Sequence, residues 1–288
     1  MRDTTDIKAL KYSKAQCFLY RNKIGRLFLK MLISPVVSKT VGAFMNSPFS
    51  KFMIKGFVKK NNIDLSLFEN KKYNSYNDFF TRKIKPQSRP LNDEQNALIS
   101  PADSRLTALF IDENLHFKIK NAYYNLADFL DDNALADEFL GGILLIFRLC
   151  VDDYHRYCFI DDGEILSHKF IKGSLHTVQP IALEKDNFFK ENCREITVMN
   201  TEIFGKVIMA EIGAMMVGKI KNHKDKGEFK RAEEKGYFEF GGSTVCVILK
   251  KNSAEIDSEI LDNTEKGLET RVLFREKIGK KKNLQSCY

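Results

Sequence analysis

Ser243 sits in the run FGGSTV (240–245), behind two glycines and ahead of the β-branched and apolar stretch Thr244 to Leu249. One reading of Gly-Gly-Ser is a tight turn at the mouth of a strand. The other is chemical. Glycine leaves its carbonyl unshielded, and the hydroxyl of the next serine can attack that carbonyl once a base takes its proton. The bond between Gly242 and Ser243 would then become an ester. Removal of the serine Cα proton would eliminate that ester, releasing a chain that ends at Gly242 and leaving dehydroalanine at position 243. Loss of ammonia to water would turn that group into a pyruvoyl carbonyl, an electrophile made from the protein itself.

Such chemistry needs a base. His155 lies in LCVDDYHRYCF (149–159), after an apolar run and two acids. An imidazole titrates near neutrality and moves protons either way. Arg156 beside it could hold a carboxylate or a phosphate. The alternative for His155 is a structural ring bonded to backbone. His176, in KGSLHTVQP (172–180), lines a pocket or ends a strand at the surface, and His116, His168 and His223 read as surface residues. Asp103, in SPADSRL (100–106), reads by itself as a turn residue capping its own backbone. No H-x-x-H or H-E-x-x-H occurs and the six cysteines are scattered, so no metal site is expected.

The surrounding pattern divides in two. Residues 1–70 read as helical, with Pro35 and Pro48 cutting 24–63 into short helices. That stretch mixes Leu, Phe, Met and Ile with Lys and Arg and has almost no acid, and Phe28, Met31 and Leu32 recur at helical spacing. The composition suits a helix lying in a membrane interface, or a cap packed on the body. YNDFFTRKIKPQSRPL (76–91) predicts a short buried helix and a proline-punctuated exit. From residue 98 onward, strand-length apolar runs recur at 105–111, 115–120, 142–150, 195–200, 206–220 and 244–250, with one helical interruption at 124–132. KIGKKKN (277–283) reads as a solvated basic tail. The expected fold is α+β: a helical N-terminal membrane-facing layer (1–70) on a mostly antiparallel β body (71–288).

Over 288 residues the chain is 43% hydrophobic and carries a net charge of +8, which favours anionic partners. The basic residues are spread along the chain without a recognisable motif, so nucleic acid is not expected as a partner. No run of 18 apolar residues occurs, so any membrane contact is peripheral. Unpaired cysteines suit a reducing, cytoplasmic setting.

Taken together and in order, these segments resemble the phosphatidylserine decarboxylases, over roughly residues 70–250. YNDFFTRKIKPQSRPL resembles the family's F-F-x-R-x-x-K-P-x-x-R-P segment, and SPADSRL its S-P-A-D-G-x segment, with Ser104 where glycine is usual. DYHR is the family's tetrapeptide, and FGGSTV resembles its L-G-S-T processing site. The resemblance implies self-cleavage between Gly242 and Ser243 into chains 1–242 and 243–288 that stay associated. It implies a pyruvoyl cofactor derived from Ser243, and decarboxylation of phosphatidylserine to phosphatidylethanolamine through a Schiff base. Asp103 would belong to a charge relay with a histidine that activates Ser243. Cys158 stands where many relatives carry a second histidine, which leaves the base to His155 or His176, and Val151 stands where proline is frequent. Arg156 and His176 are the candidates for holding substrate. The expected location is the cytoplasmic face of the cell membrane, on anionic lipid, and the resemblance admits a homodimer. Two other readings fit the same residues: an inactive relative that binds anionic membranes, and a pyruvoyl decarboxylase of a soluble amino acid.

Overall fold

The structure, a computed structural model, describes residues 1–7, 9, 12–32, 35–119, 122–174, 192–213, 220–241 and 243–283, with backbone alone at 30–32, 35, 36, 38, 39, 118, 119, 122 and 123. Its centre is a nine-stranded sheet with every pairing antiparallel. From one edge the strands run Thr4–Asp6, Leu268–Val272, Ser104–Phe110, Ile143–Leu149, Ser243–Leu249, Gly205–Ile212, Arg194–Thr201, Gly163–Ile171 and Gly227–Phe229. The two strands at the middle, Ile143–Leu149 and Ser243–Leu249, are buried on both faces, as their continuous apolar runs require. A small sheet of Ile220–Asn222, Glu234–Phe238 and Arg156–Cys158 accompanies the main one, and Lys277–Lys281 pairs with Ala97–Ile99 and Ala254–Ile256.

The expected α+β architecture is present, with three differences of detail. Residues 4–6 form an edge strand of the main sheet, so the first residues belong to the β body and not to the helical layer. Arg2 fixes that strand, with ion pairs to Asp257, Glu259 and Glu276. KIGKKKN is a strand and not a tail: Ile278 points fully inward while the lysines around it reach outward. Gly163–Ile171 and Glu234–Phe238 are strands whose polar sequences gave no strand signal.

The helical layer comprises α1 (Lys14–Arg21), α2 (Lys23–Leu32), α3 (Pro35–Asn46) and α4 (Phe52–Lys60). A Ser13/Gln16 capping box starts α1, and Pro35 starts α3, where a missing N–H costs nothing. The next helix, α5 (Tyr76–Phe80), is capped by the Ser75 hydroxyl on the Asp78 N–H and is buried along most of its length. Met45, Tyr76, Phe79 and Phe80 form a second apolar cluster, with Phe57 and Phe240 packed against it. The helical layer thus meets the body where the chain approaches position 243.

Arg148 and Glu269 face each other inside the sheet as a buried two-contact ion pair, Nε to Oε1 at 2.8 Å and Nη2 to Oε2. Removing one partner leaves the other charge buried alone. Arg148→Met is expected to cost about 3–5 kcal/mol in denaturant unfolding, and Arg148→Met with Glu269→Leu to recover most of it.

Candidate active site

Ser243 is the first residue of its strand, opposite Leu149 on one neighbour, while Thr244 lies opposite Ile212 on the other. Both flanks are therefore fixed by sheet hydrogen bonds from the first residues onward. Ser243 is fully buried, and its hydroxyl has no hydrogen-bond partner among the described residues. An unpartnered buried hydroxyl costs roughly 1–3 kcal/mol. Gly241 has φ +133°, a conformation that side chains resist, which accounts for the first glycine of the pair. Gly242 lies outside the described residues.

His155 is buried beside this strand mouth. Its Nδ1 is 2.9 Å from the carbonyl oxygen of Asp153, an acceptor, so the ring proton sits on Nδ1 and Nε2 carries a free lone pair. That Nε2 is buried and without a partner among the described residues. Burial, aided by the charge of Arg82, pushes the imidazole down to about 3, against the opposing backbone groups of Asp153 and Gly241. The ring packs against Phe80 at a tilt of 41°, centroids 4.2 Å apart. The result is a neutral imidazole with its acceptor nitrogen turned into a dry interior.

Asp103 is not joined to that ring. Arg89 grips it through two contacts, Nε to Oδ1 at 2.9 Å and Nη2 to Oδ2 at 2.7 Å, and the Phe274 N–H donates to Oδ1 at 2.6 Å. Asp153, two residues before His155, is buried against Arg105 at 3.2 Å and accepts from the Cys150 N–H at 2.7 Å. Burial pushes its carboxyl up to about 6, opposed by Arg105. The only sequence signal for it was its place two residues before His155.

Arg156 is already engaged: Nε donates to the Thr81 carbonyl at 2.8 Å and Nη1 to Glu234 at 2.6 Å. His176 lies outside the described residues. Burial pushes the Cys158 thiol up to about 12, so it does not replace a histidine as base. Arg82 keeps unspent donors among the described residues. It is buried between the rings of Phe68 and Phe79, reaches the Phe79 and Asp152 carbonyls only at 3.4 Å, and leaves Nε unpaired.

Sequence reading also passed over a buried polar network on the Ser243 face of the sheet. Glu211 lies opposite Val245, which shares a face with Ser243. Lys235, fully buried, donates to both Glu211 oxygens at 2.9 Å and to Asn222 at 2.8 Å. Asn222 reaches Glu195 at 2.5 Å, and His168 is 3.4 Å from the same carboxylate, so His168 is not the free surface residue its neighbours suggested. The network pins the strand Glu234–Phe238, which leads into Phe240 and Gly241.

A profile described as phosphatidylserine decarboxylase matches residues 76–280. The chain is 46% identical over 280 residues to phosphatidylserine decarboxylase proenzyme 2 of Clostridium acetobutylicum, covering 95% of this chain and 96% of that one. It is 41% identical over 285 residues to a phosphatidylserine decarboxylase proenzyme of Clostridium perfringens, covering 97% and 96%. A proenzyme of the same description from Fusobacterium nucleatum is 40% identical over 291 residues, covering 98% and 97%.

The buried imidazole gives stability a defined pH dependence. Folded His155 titrates at about 3 and an ordinary imidazole at 6.5, so between these values the unfolded chain binds the extra proton. Its contribution is complete above the ordinary value and is lost as pH falls towards the folded one. Asp153 acts oppositely: its contribution is complete below 3.8 and lost as pH rises through about 6. In a Ser243→Ala chain, His155→Gln is expected to lessen the fall in Tm between about pH 7 and about pH 4.5. Parallel melting curves for the two chains would contradict this.

Proposed function

Because the chain belongs to the phosphatidylserine decarboxylase family, we propose that it cuts itself between Gly242 and Ser243 and uses the resulting pyruvoyl group to convert phosphatidylserine to phosphatidylethanolamine. The observation that carries this reading is the sealed, unpartnered Ser243 hydroxyl at the head of a central strand, behind a glycine at positive φ. These residues fit a group made from the serine: the atom that must react is held dry and uncommitted.

In the cut, Ser243 Oγ gives up its proton and closes on the Gly242 carbonyl carbon. The C–N bond breaks as the C–O bond forms, leaving an ester. Loss of the Ser243 Cα proton breaks the Cβ–O bond, and Gly242 leaves as a carboxylate. Water then replaces the nitrogen at position 243 and ammonia departs. His155 Nε2 is the neutral acceptor that serves the first proton transfer, held in its tautomer by the Asp153 carbonyl. Asp103 supports the site from a distance, by fixing Arg89 and the backbone of Phe274. The pyruvoyl carbonyl supplies an electrophile for the substrate amine and a sink for the electron pair left by carbon dioxide. Arg82 is better placed than Arg156 to receive the substrate's carboxylate or phosphodiester, because its donors are not spent. His155 is positioned to return a proton to carbon.

The two products of the cut stay together. Chain 243–288 contributes Ser243–Leu249 and Leu268–Val272, each flanked on both sides by strands of chain 1–242, and Lys277–Lys281 pairs with Ala97–Ile99.

A lipid substrate requires a surface that meets the bilayer. Ile24, Leu27 and Phe28 line the outer face of α2, Leu29 is its buried anchor, and Phe49 and Phe52 are also exposed. The side chains of Met31 and Leu32 lie outside the described residues. No acidic residue occurs between Asp6 and Asp64. Apolar groups among cations suit the interface of an anionic bilayer, on its cytoplasmic face, with no helix among the described residues long and apolar enough to cross it.

Purified chain is expected to form phosphatidylethanolamine from phosphatidylserine vesicles, and Ser243→Ala to form none. Carbon dioxide release from free serine without lipid would instead favour a soluble substrate. Leu27→Ser with Phe28→Ser is expected to weaken vesicle flotation about tenfold or more, with the extent of cleavage unchanged. Wild-type flotation by that pair would remove α2 from the docking face.

A further inference from the structure

Asn77, the second residue of α5, is a buried amide with a partner on each side. Its Oδ1 accepts from the backbone N–H of Phe240 at 3.0 Å. Its Nδ2 donates to Oδ1 of Asn46, the last residue of α3, at 2.9 Å. Asn46 in turn donates from Nδ2 to the Gly42 carbonyl at 3.0 Å. A backbone N–H can only donate and a backbone carbonyl can only accept, so the orientation of both amides is forced from the two ends. The chain of bonds runs from the helical layer to the residue two places before Gly242.

Two further contacts follow the same route. Ser50, buried in the helical layer, accepts from the Tyr76 N–H at 2.8 Å at the start of α5. At the other side, Tyr76 and Phe80 meet the Phe240 ring edge-on at 5.1 and 5.3 Å, and Phe80 also lies against His155. One five-residue helix therefore touches the approach to position 243 and the imidazole at once.

The need for such a grip comes from the glycines. In the sequence the two glycines stand between two fixed points, the Phe240 N–H on Asn77 and the Ser243–Leu149 pairing of the sheet, and glycine has the widest backbone freedom of any residue. Attack by a hydroxyl on the carbonyl just before it requires the reacting atoms to be held roughly 3–3.5 Å apart with orbitals aligned. Released at Phe240, the glycine pair would sample many backbone conformations, few of them reactive.

We propose that Asn77 is a positioning residue for self-cleavage, and that the helical layer reaches the scissile bond through it. The inference rests on the reading that the chain cuts between Gly242 and Ser243. It assigns Asn77 no contact with the reacting atoms. Asn46 and Ser50 then serve processing by holding α5, in addition to any part their layer takes in meeting lipid.

The test is a time course of full-length chain made by cell-free translation, with the fraction cut read by gel. Asn77→Leu, close in size but without either bond, is expected to cut about tenfold or more slowly. Asn77→Asp keeps the acceptor for Phe240 and loses the donor to Asn46, and is expected to regain most of the rate. Asn46→Leu is expected to fall between Asn77→Leu and wild type. In a Ser243→Ala background, Asn77→Leu should speed amide exchange at residues 239–241 while the central strands keep their protection, which separates loss of the grip from loss of the fold. Asn77→Leu cutting at the wild-type rate, Asn77→Asp as slow as Asn77→Leu, or Asn46→Leu indistinguishable from wild type would overturn the proposal. A wild-type chain that stays whole in the same run would remove the cut itself, and the proposal with it.

Discussion

Among the described residues, two polar atoms beside the mouth of one strand, Ser243 Oγ and His155 Nε2, are buried without partners. Each costs roughly 1–3 kcal/mol to leave so. Water would satisfy both and, in the proposed cut, would compete for the carbonyl that the serine attacks. Keeping them dry therefore sets what the rest of the chain has to do. Sheet pairing on both sides of Ser243–Leu249 anchors the serine, and the Asp153 carbonyl fixes the imidazole tautomer. Phe80 and Phe240 close the space with rings that carry no polar group, and Tyr76 packs edge-on against Phe240. The same burial keeps His155 neutral, with Nε2 an uncharged acceptor, and lowers its basicity.

One segment ties the parts together. Residues 76–91 bond to each of the other three motif segments: Asn77 to Phe240, Thr81 and Arg82 to the segment around His155, and Arg89 to Asp103. Pro101 adds a direct link to Cys158. Motifs scattered over more than half the sequence are thus neighbours because one short helix and its exit lie between them. The helical layer packs on the far side of that helix, so the layer and the approach to Ser243 share a common support.

Much of this was legible in the sequence, for identifiable reasons. The strands at 142–150 and 244–250 announced themselves because both faces are buried and their residues are nearly all apolar, and those at 105–111 and 195–200 because apolar residues recur along a strand-length run. Gly163–Ile171 did not, because its exposed face carries Glu164, Ser167 and Lys169, and its pairing with Arg194–Thr201 supplies what its composition lacks. KIGKKKN misled because four lysines outweigh a single buried Ile278. Ser243 and His155 were found from chemical type and place. The partners of Asp103 and Arg156 were not, since Arg89 and Glu234 become neighbours only through the fold. Lys235 and Glu211 were hidden for the same reason: nothing local marks a charged pair for complete burial.

Intact-protein mass spectrometry of the purified, denatured chain tests the central claim most directly. The account predicts two species, one ending at Gly242 and one beginning at position 243 with a carbonyl in place of its amine. A single species of 33.2 kDa that persists through prolonged incubation with anionic lipid would contradict it, and the two glycines before Ser243 would then be a turn and nothing more.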